Sequence, residues 1–257
     1  MSDRTTLLVA NWKMHLNVSQ ASLFLHRLQE RTRIHRNIEV VLAPSMLALQ
    51  PVSMQLDRRK FRLAAQNAFY KDEGAFTGEV SFSMLRDLVH YAIVGHSERR
   101  IHFHEDLPTV RDKVQAAVRN QITPILCVGE TRHERTEGHT KQVLHDQVTT
   151  ALSNLTAREV AGLVIAYEPV WAIGAGDPAK PRQIQEAIAF VRHQVSELYG
   201  DHVAEQMRVL YGASVEPEFV QGILTLPGTD GLLIGGASIN PYTFANIIEA
   251  AHRTHVV

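Results

Sequence analysis

The chain has 257 residues, 45% of them apolar, with 26 Lys plus Arg against 27 Asp plus Glu and a single cysteine. Such a composition builds a full hydrophobic core and excludes disorder, and a formal charge of −1 excludes a nucleic-acid or membrane-surface binder that relies on bulk charge. A lone Cys127 excludes a disulfide-stapled scaffold, and no apolar run approaches the roughly 18 residues of a membrane span. The polar start, Met1 to Thr6, lacks the pattern of a signal peptide, so a cytoplasmic protein is expected.

Short apolar runs recur at 7–10, 38–43, 61–65, 91–94, 122–128, 162–167, 207–211 and 231–234. Each is rich in β-branched residues or Leu and apolar almost throughout, the pattern of strands buried on both faces. Helical periodicity fills several intervals. Val18 to Glu30 aligns Leu23, Phe24 and Leu28, and Ile184 to Leu198 aligns Ile188, Val191 and Val195; Val110 to Val118 and Val143 to Leu152 behave similarly. The spacing is that of repeated β-loop-α units, and no Pro/Gly/Ser-rich linker divides the chain. We expect an α/β protein of one domain spanning 1–257, a closed (β/α)8 barrel; an open doubly wound sheet with eight strands satisfies the same periodicity.

In barrels of this kind the active face is built from strand C-terminal ends and the loops after them. Those ends read Asn11-Trp12-Lys13, Gln66-Asn67, Gly95-His96-Ser97-Glu98, Gly129-Glu130, Glu168-Pro169, Tyr211-Gly212-Ala213-Ser214 and Gly235-Gly236-Ala237-Ser238, whereas Ala43-Pro44-Ser45 reads as a plain turn. Glu168, hemmed by Tyr167 and Pro169, should have its charged form disfavoured and its basicity raised, which suits a general base; a strand-end Glu paired with an Arg is the plainer reading. Most of the 14 histidines belong to surface or core, but His96 lies at a strand end beside Ser97-Glu98. Lys13 is the only ammonium among these ends. The glycine turns after the last two strands, with a short helix starting after Gly235-Gly236, can cradle a phosphate through backbone N–H groups. The loop Trp171-Ala172-Ile173-Gly174-Ala175-Gly176 has apolar residues that need cover and small residues that can move, which reads as a lid.

Three other signals carry less. Gly174-Ala175-Gly176-Asp177-Pro178-Ala179 fits a loose dinucleotide fingerprint but does not leave its strand directly. His102-Phe103-His104-Glu105 looks like a metal pair without a completing ligand cluster, so no metal is expected. Cys127 lies inside a strand with no evident base, and no GxSxG elbow exists.

Asn11-Trp12-Lys13-Met14, Ala65-Gln66-Asn67 through Gly74-Ala75-Phe76-Thr77-Gly78-Glu79, Val94-Gly95-His96-Ser97-Glu98-Arg99-Arg100, Cys127-Val128-Gly129-Glu130-Thr131, Ala166-Tyr167-Glu168-Pro169-Val170-Trp171-Ala172-Ile173-Gly174 and Gly235-Gly236-Ala237-Ser238 together resemble the triosephosphate isomerase family, in order and over essentially the whole chain. The resemblance implies interconversion of dihydroxyacetone phosphate and glyceraldehyde 3-phosphate, a step of glycolysis and gluconeogenesis, without metal or organic cofactor. It makes Lys13, His96 and Glu168 catalytic, with His96 neutral and Glu168 the base, and makes Asn11, Ser97 and Glu98 supporting, Glu98 standing behind Lys13. Phosphate would lie on Gly174, Ser214, Gly235 and Gly236, with Asn11 and Lys13 also contacting substrate. Pro169 to Gly176 (Pro169, Val170, Trp171, Ala172, Ile173, Gly174, Ala175, Gly176) would form the lid. The loop at Phe76, Thr77 and Gly78 would reach a second copy in a homodimer.

Departures from the family pattern bear on lid motion. Ala213 stands where a second glycine is usual, Asp177 replaces a cation, Pro178 stiffens the trailing hinge and His15 replaces a common Asn. An isomerase of a four-carbon sugar phosphate and a non-catalytic phosphate-binding barrel are the alternatives.

Overall fold

Strand formation follows from runs that are apolar on both faces. The computed structural model describes residues 4–173, 178–213 and 215–254. Its strands are β1 (Thr6–Asn11), β2 (Ile38–Ala43), β3 (Phe61–Ala65), β4 (Tyr91–Val94), β5 (Thr123–Val128), β6 (Val164–Tyr167), β7 (Arg208–Ala213) and β8 (Gly231–Ile234). All are parallel, each pairs with the next, and β8 returns to β1, with Leu7 beside Gly231 and Ala10 beside Ile234. The sheet is therefore a closed barrel. The open alternative is excluded.

Closure explains the unbroken apolar runs. Leu7 and Val9 of β1 point into the barrel with Val41, Ile93, Ile125, Cys127, Val164 and Leu210, while Leu8 and Ala10 pack outward beneath the helices. Each strand thus buries both its alternating faces. The helix Val18–Arg31 starts at an Asn17–Gln20 capping box and buries Ala21, Phe24, Leu25 and Leu28. Its apolar stripe differs from the one expected at Leu23, which is 49% exposed. Positions 21, 24, 25 and 28 follow the i, i+3, i+4, i+7 rule, which leaves position 23 on the other side. The helix Pro181–Tyr199 buries Ile188, Val191 and Val195 as expected, opening on a proline that has no N–H to leave unsatisfied.

The two rims of the barrel carry different polar sets. At the strand starts, Asp230 accepts hydrogen bonds from Arg4 Nε at 2.8 Å, from the Val209 N–H at 2.8 Å and from Arg192 Nη2. On the same rim, Arg208 Nη1 lies 2.7 Å from Glu39 Oε2 and Tyr91 donates its hydroxyl to Glu39 Oε1 at 2.8 Å. At the strand ends lies the set that the sequence singled out.

Candidate active site

Short connections after β1, β4, β6 and β8 bring their polar residues to one place. A cleft at the barrel mouth is lined by Asn11, Lys13, His96, Glu168, Ile173, Gly212, Leu233, Gly235 and Gly236. Its volume is about 40 Å³, far below the roughly 300 Å³ at which small-molecule sites begin. A larger cavity of about 370 Å³, between the helices Thr140–Leu152 and Pro181–Tyr199, holds none of these groups. Chemistry, not size, marks the site.

Lys13 follows β1 with a left-handed backbone, φ 51°. A non-glycine residue persists there only when its surroundings hold it. Two contacts do so: Lys13 N–H donates to Asn11 Oδ1 at 3.1 Å, and Gln66 Nε2 donates to the Lys13 carbonyl at 2.8 Å. The ammonium then lies 2.6 Å from Glu98 Oε1. Gly235 comes close beside it, since a Cβ there would stand 3.3 Å from Lys13 Cε.

His96 caps the short helix Ser97–His102, its Nδ1 accepting from the Glu98 N–H at 3.3 Å. An accepting Nδ1 is unprotonated, so the ring proton belongs to Nε2. Nε2 faces Glu168 Oε1 at 3.0 Å, and Glu168 Oε2 accepts from the Ser97 N–H, also at 3.0 Å. Both side chains are under 10% exposed.

Burial works against the imidazolium, but the facing carboxylate of Glu168 outweighs it and lifts the His96 pKa above its ordinary value. For Glu168 the outcome corrects the expectation. Burial does push its pKa up, yet the His96 charge, the His96 hydrogen bond and the Ser97 N–H together hold it below the usual carboxylate range. Nor is its partner an arginine. In this conformation the carboxylate is parked on its neighbours.

The strand-end residue Glu130 has a role that sequence reasoning missed. It is fully buried and collects Tyr167 OH at 3.1 Å, Trp171 Nε1 at 2.9 Å and Arg135 Nη1 at 2.9 Å. Arg132 Nη2 also holds the Trp171 carbonyl at 2.8 Å. These contacts anchor the leading end of the loop Pro169–Ile173, in which Val170–Ala172 is a 3-10 turn with Trp171 and Ala172 buried. Gly129 lets β5 approach this loop: a Cβ there would fall 1.7 Å from the Glu168 carbonyl oxygen. The only hint in the sequence was an acidic residue at a strand end.

Gly236–Ile239 is a 3-10 turn directly after β8, as expected of Gly235-Gly236. Ala213 ends β7, paired with Ile234. Gly174, Ala175, Gly176 and Ser214, together with Asp177, lie outside the described residues. The loop after β3 exposes Phe76, Thr77 and Gly78. His102 and His104 are exposed, whereas Glu105 is buried against Arg99 and Lys113.

The fold and site together define a (β/α)8-barrel protein with a buried imidazole–carboxylate pair and an ammonium at the mouth formed by its strand ends. The family model for triosephosphate isomerase matches residues 6–251. Relatives named triosephosphate isomerase include those of Chloroherpeton thalassium, 44% identical over 96% of this chain and 99% of the relative, and Trichlorobacter lovleyi, 41% identical over 96% and 98%. That of Thermodesulfovibrio yellowstonii is 41% identical over 94% and 98%. The chain belongs to the triosephosphate isomerase family and is an isomerase.

Proposed function

We propose that residues 1–257 form one barrel domain that interconverts dihydroxyacetone phosphate and D-glyceraldehyde 3-phosphate through an enediolate. The observation that carries the proposal is the 3.0 Å contact between His96 Nε2 and Glu168 Oε1 in a cleft shared with Lys13 and Gly235. Acid, base and charge stabiliser are all side chains, so the chemistry needs no metal or organic cofactor.

Substrate reaches both acid and base only when Glu168 turns from His96 and Ser97 to face the substrate's carbon atoms. The carboxylate then loses the partners that keep its pKa low while remaining buried, so it becomes a stronger base. It takes a proton from the carbon next to the carbonyl, and His96 Nε2–H donates to the carbonyl oxygen. Departure of the carboxylate also removes the charge that lifts the imidazole pKa, and the accepting Nδ1 favours the neutral ring. Glu168 returns its proton to the neighbouring carbon and His96 recovers one from the second oxygen. No proton is gained or lost overall.

Lys13, with Asn11, holds the negative charge of the enediolate, while Glu98 positions the ammonium and Ser97 the resting carboxylate. Phosphate lies on the backbone of Gly235 and Gly236, joined by Gly174 and Ser214. Pro169 to Gly176 closes over it and excludes water, which keeps the enediolate from expelling phosphate.

A homodimer is part of the proposal. Met14, Leu47, Phe76, Met84, Ile101 and Phe103 are large apolar residues left exposed in the segments after β1 to β4, Met14 at 96%. So many apolar side chains from neighbouring segments mark a protein interface. Met14 adjoins Lys13 in sequence, which sets that interface beside the site. A cytoplasmic location is part of the proposal, since the sugar phosphates of glycolysis are cytoplasmic metabolites.

Assay of kcat/KM on glyceraldehyde 3-phosphate and on a four-carbon ketose phosphate tests the activity. The triose is expected to be preferred; preference for the tetrulose phosphate overturns the proposal, as does binding of both without turnover. Sedimentation analysis should give twice the chain mass.

A further inference from the structure

The strand starts of β2 to β5 surround a cavity of about 450 Å³ on the rim opposite the active face. This lies within the size range of small-molecule sites, about 300–1,000 Å³. Arg58, Arg62, Arg86 and His90 contribute to its wall, with Glu39 and Asp87 as the acidic members. Its frame is fixed by the sheet: His90 N–H donates to the Leu63 carbonyl at 2.9 Å, and Thr123 N–H to the His90 carbonyl at 2.9 Å.

The charges around this cavity do not balance. Glu39 is already taken by Arg208 Nη1 at 2.7 Å and by the Tyr91 hydroxyl at 2.8 Å, and Arg208 Nη2 donates to that same hydroxyl at 2.7 Å. Asp87 cancels one of the three arginines, which leaves an excess of two positive charges. Among the described residues, neither Arg62 nor Arg86 has a carboxylate at ion-pair distance, and Arg58 makes only a long contact with Ser53 Oγ, 3.4 Å. Arg86 feels the field of Asp72, but that carboxylate is held by Arg119 and Asn120. His90 registers the imbalance. Burial and then the charges of Arg62 and Arg58 push its pKa down, against a weaker pull from Glu39.

Three exposed arginines line one cavity without matching carboxylates, which sets their guanidinium charges against one another and leaves a positive field over this rim. An anion that spans them removes the repulsion, and guanidinium forks match phosphate oxygens in pairs. One phosphate engages one or two forks, whereas a linear chain of phosphates carries enough oxygens to engage three. We propose that this rim is a binding site for a triphosphate group, carried by inorganic tripolyphosphate or by a nucleotide, and separate from the phosphate turn at Gly235.

Isothermal titration of the full-length protein with tripolyphosphate tests the assignment. It is run at constant ionic strength, with inorganic phosphate titrated separately as the reference anion. A Kd at least roughly tenfold below that for inorganic phosphate is expected, because an extended anion engages several charges at once. The variant Arg62→Ser/Arg86→Ser should lose that advantage while keeping the wild-type melting temperature and kcat/KM. Equal binding to ATP, titrated without magnesium, identifies the triphosphate group itself as the ligand; binding of tripolyphosphate alone identifies the inorganic chain. The proposal is overturned if the double variant binds tripolyphosphate as tightly as wild type, or if wild type prefers it no more than inorganic phosphate.

Discussion

Two buried carboxylates stand at opposite rims of the same barrel, Asp230 at 5% exposure and Glu168 at 3%. Asp230 faces two arginines and a strand N–H, partners that keep their charge or polarity at any working pH. Glu168 faces an imidazole and the N–H of Ser97. The first arrangement is a lock and the second a latch. A carboxylate that is to take up and return a proton needs a partner that can change state, and a cleft into which it can move.

The largest effect expected from breaking this contrast is on the lock. Asp230→Asn removes the charge facing Arg4 and Arg192 while keeping the shape, and loss of charged hydrogen bonds at a buried acceptor with partly exposed donors costs about 2–3 kcal/mol. Urea denaturation should show that loss, with kcat/KM preserved in protein that remains folded. A loss below about 1 kcal/mol would mean that Asp230 is an ordinary surface carboxylate.

Glu168→Asp attacks the latch with the opposite signature. Shortening the side chain withdraws the carboxylate by about 1 Å, a misplacement expected to lower kcat on the order of 10²-fold. Its melting temperature should fall only modestly, since the shortened side chain keeps its charge beside His96 while the 3.0 Å contacts lengthen. Unchanged kcat would remove Glu168 from the role of base.

How far these roles could be read from sequence depends on the range of the interactions behind them. The strands were legible because both their faces are buried, so Leu7 to Ala10 carries its own signature. Helix faces were less so: Leu23, Phe24 and Leu28 suggest a stripe, but only packing shows that Leu25 replaces Leu23. Asn11, Lys13, His96, Glu168, Gly235 and Gly236 were legible as a set because strand ends in a closed barrel converge, and they do meet in one cleft. The pKa direction of Glu168 was not, because local neighbours predict burial while Ser97 and His96 act from about seventy residues away. Glu130 was missed for the same reason, its partner Trp171 standing 41 residues on.

A pH series sharpens the latch. The folded pKa of His96 is raised above 6.5, so its contribution to stability is complete below that value and is lost as pH rises through the folded pKa. The folded pKa of Glu168 is lowered below 4.5, so its contribution is present above that value and is lost as pH falls through the folded pKa. Both contributions coexist between those unfolded values. Glu168→Gln should therefore lose more stability relative to wild type at about pH 5.5 than at about pH 8.5. A difference that does not vary with pH would show that the pair is uncoupled.

The smallest effect tests whether the latch has room to spare. Gly212 in β7 pairs with Leu233, and a Cβ there would stand 3.0 Å from Glu168 Cγ and 3.5 Å from Leu233 Cβ. The first distance is too short for ordinary packing, so the Glu168 side chain must yield by a few tenths of an ångström. That displacement disturbs both the 3.0 Å contact of Oε1 with His96 Nε2 and the swing away from it that catalysis requires. Gly212→Ala should then lower kcat by roughly 3- to 10-fold, a fraction of the loss from a full 1 Å withdrawal. Stability should fall slightly, because the entropy that alanine removes from the unfolded chain is set against this overlap and the disturbed contact with His96. A variant that kept full kcat would mean the carboxylate works from a position clear of Gly212. Lower stability with unchanged kcat would assign the glycine to packing alone.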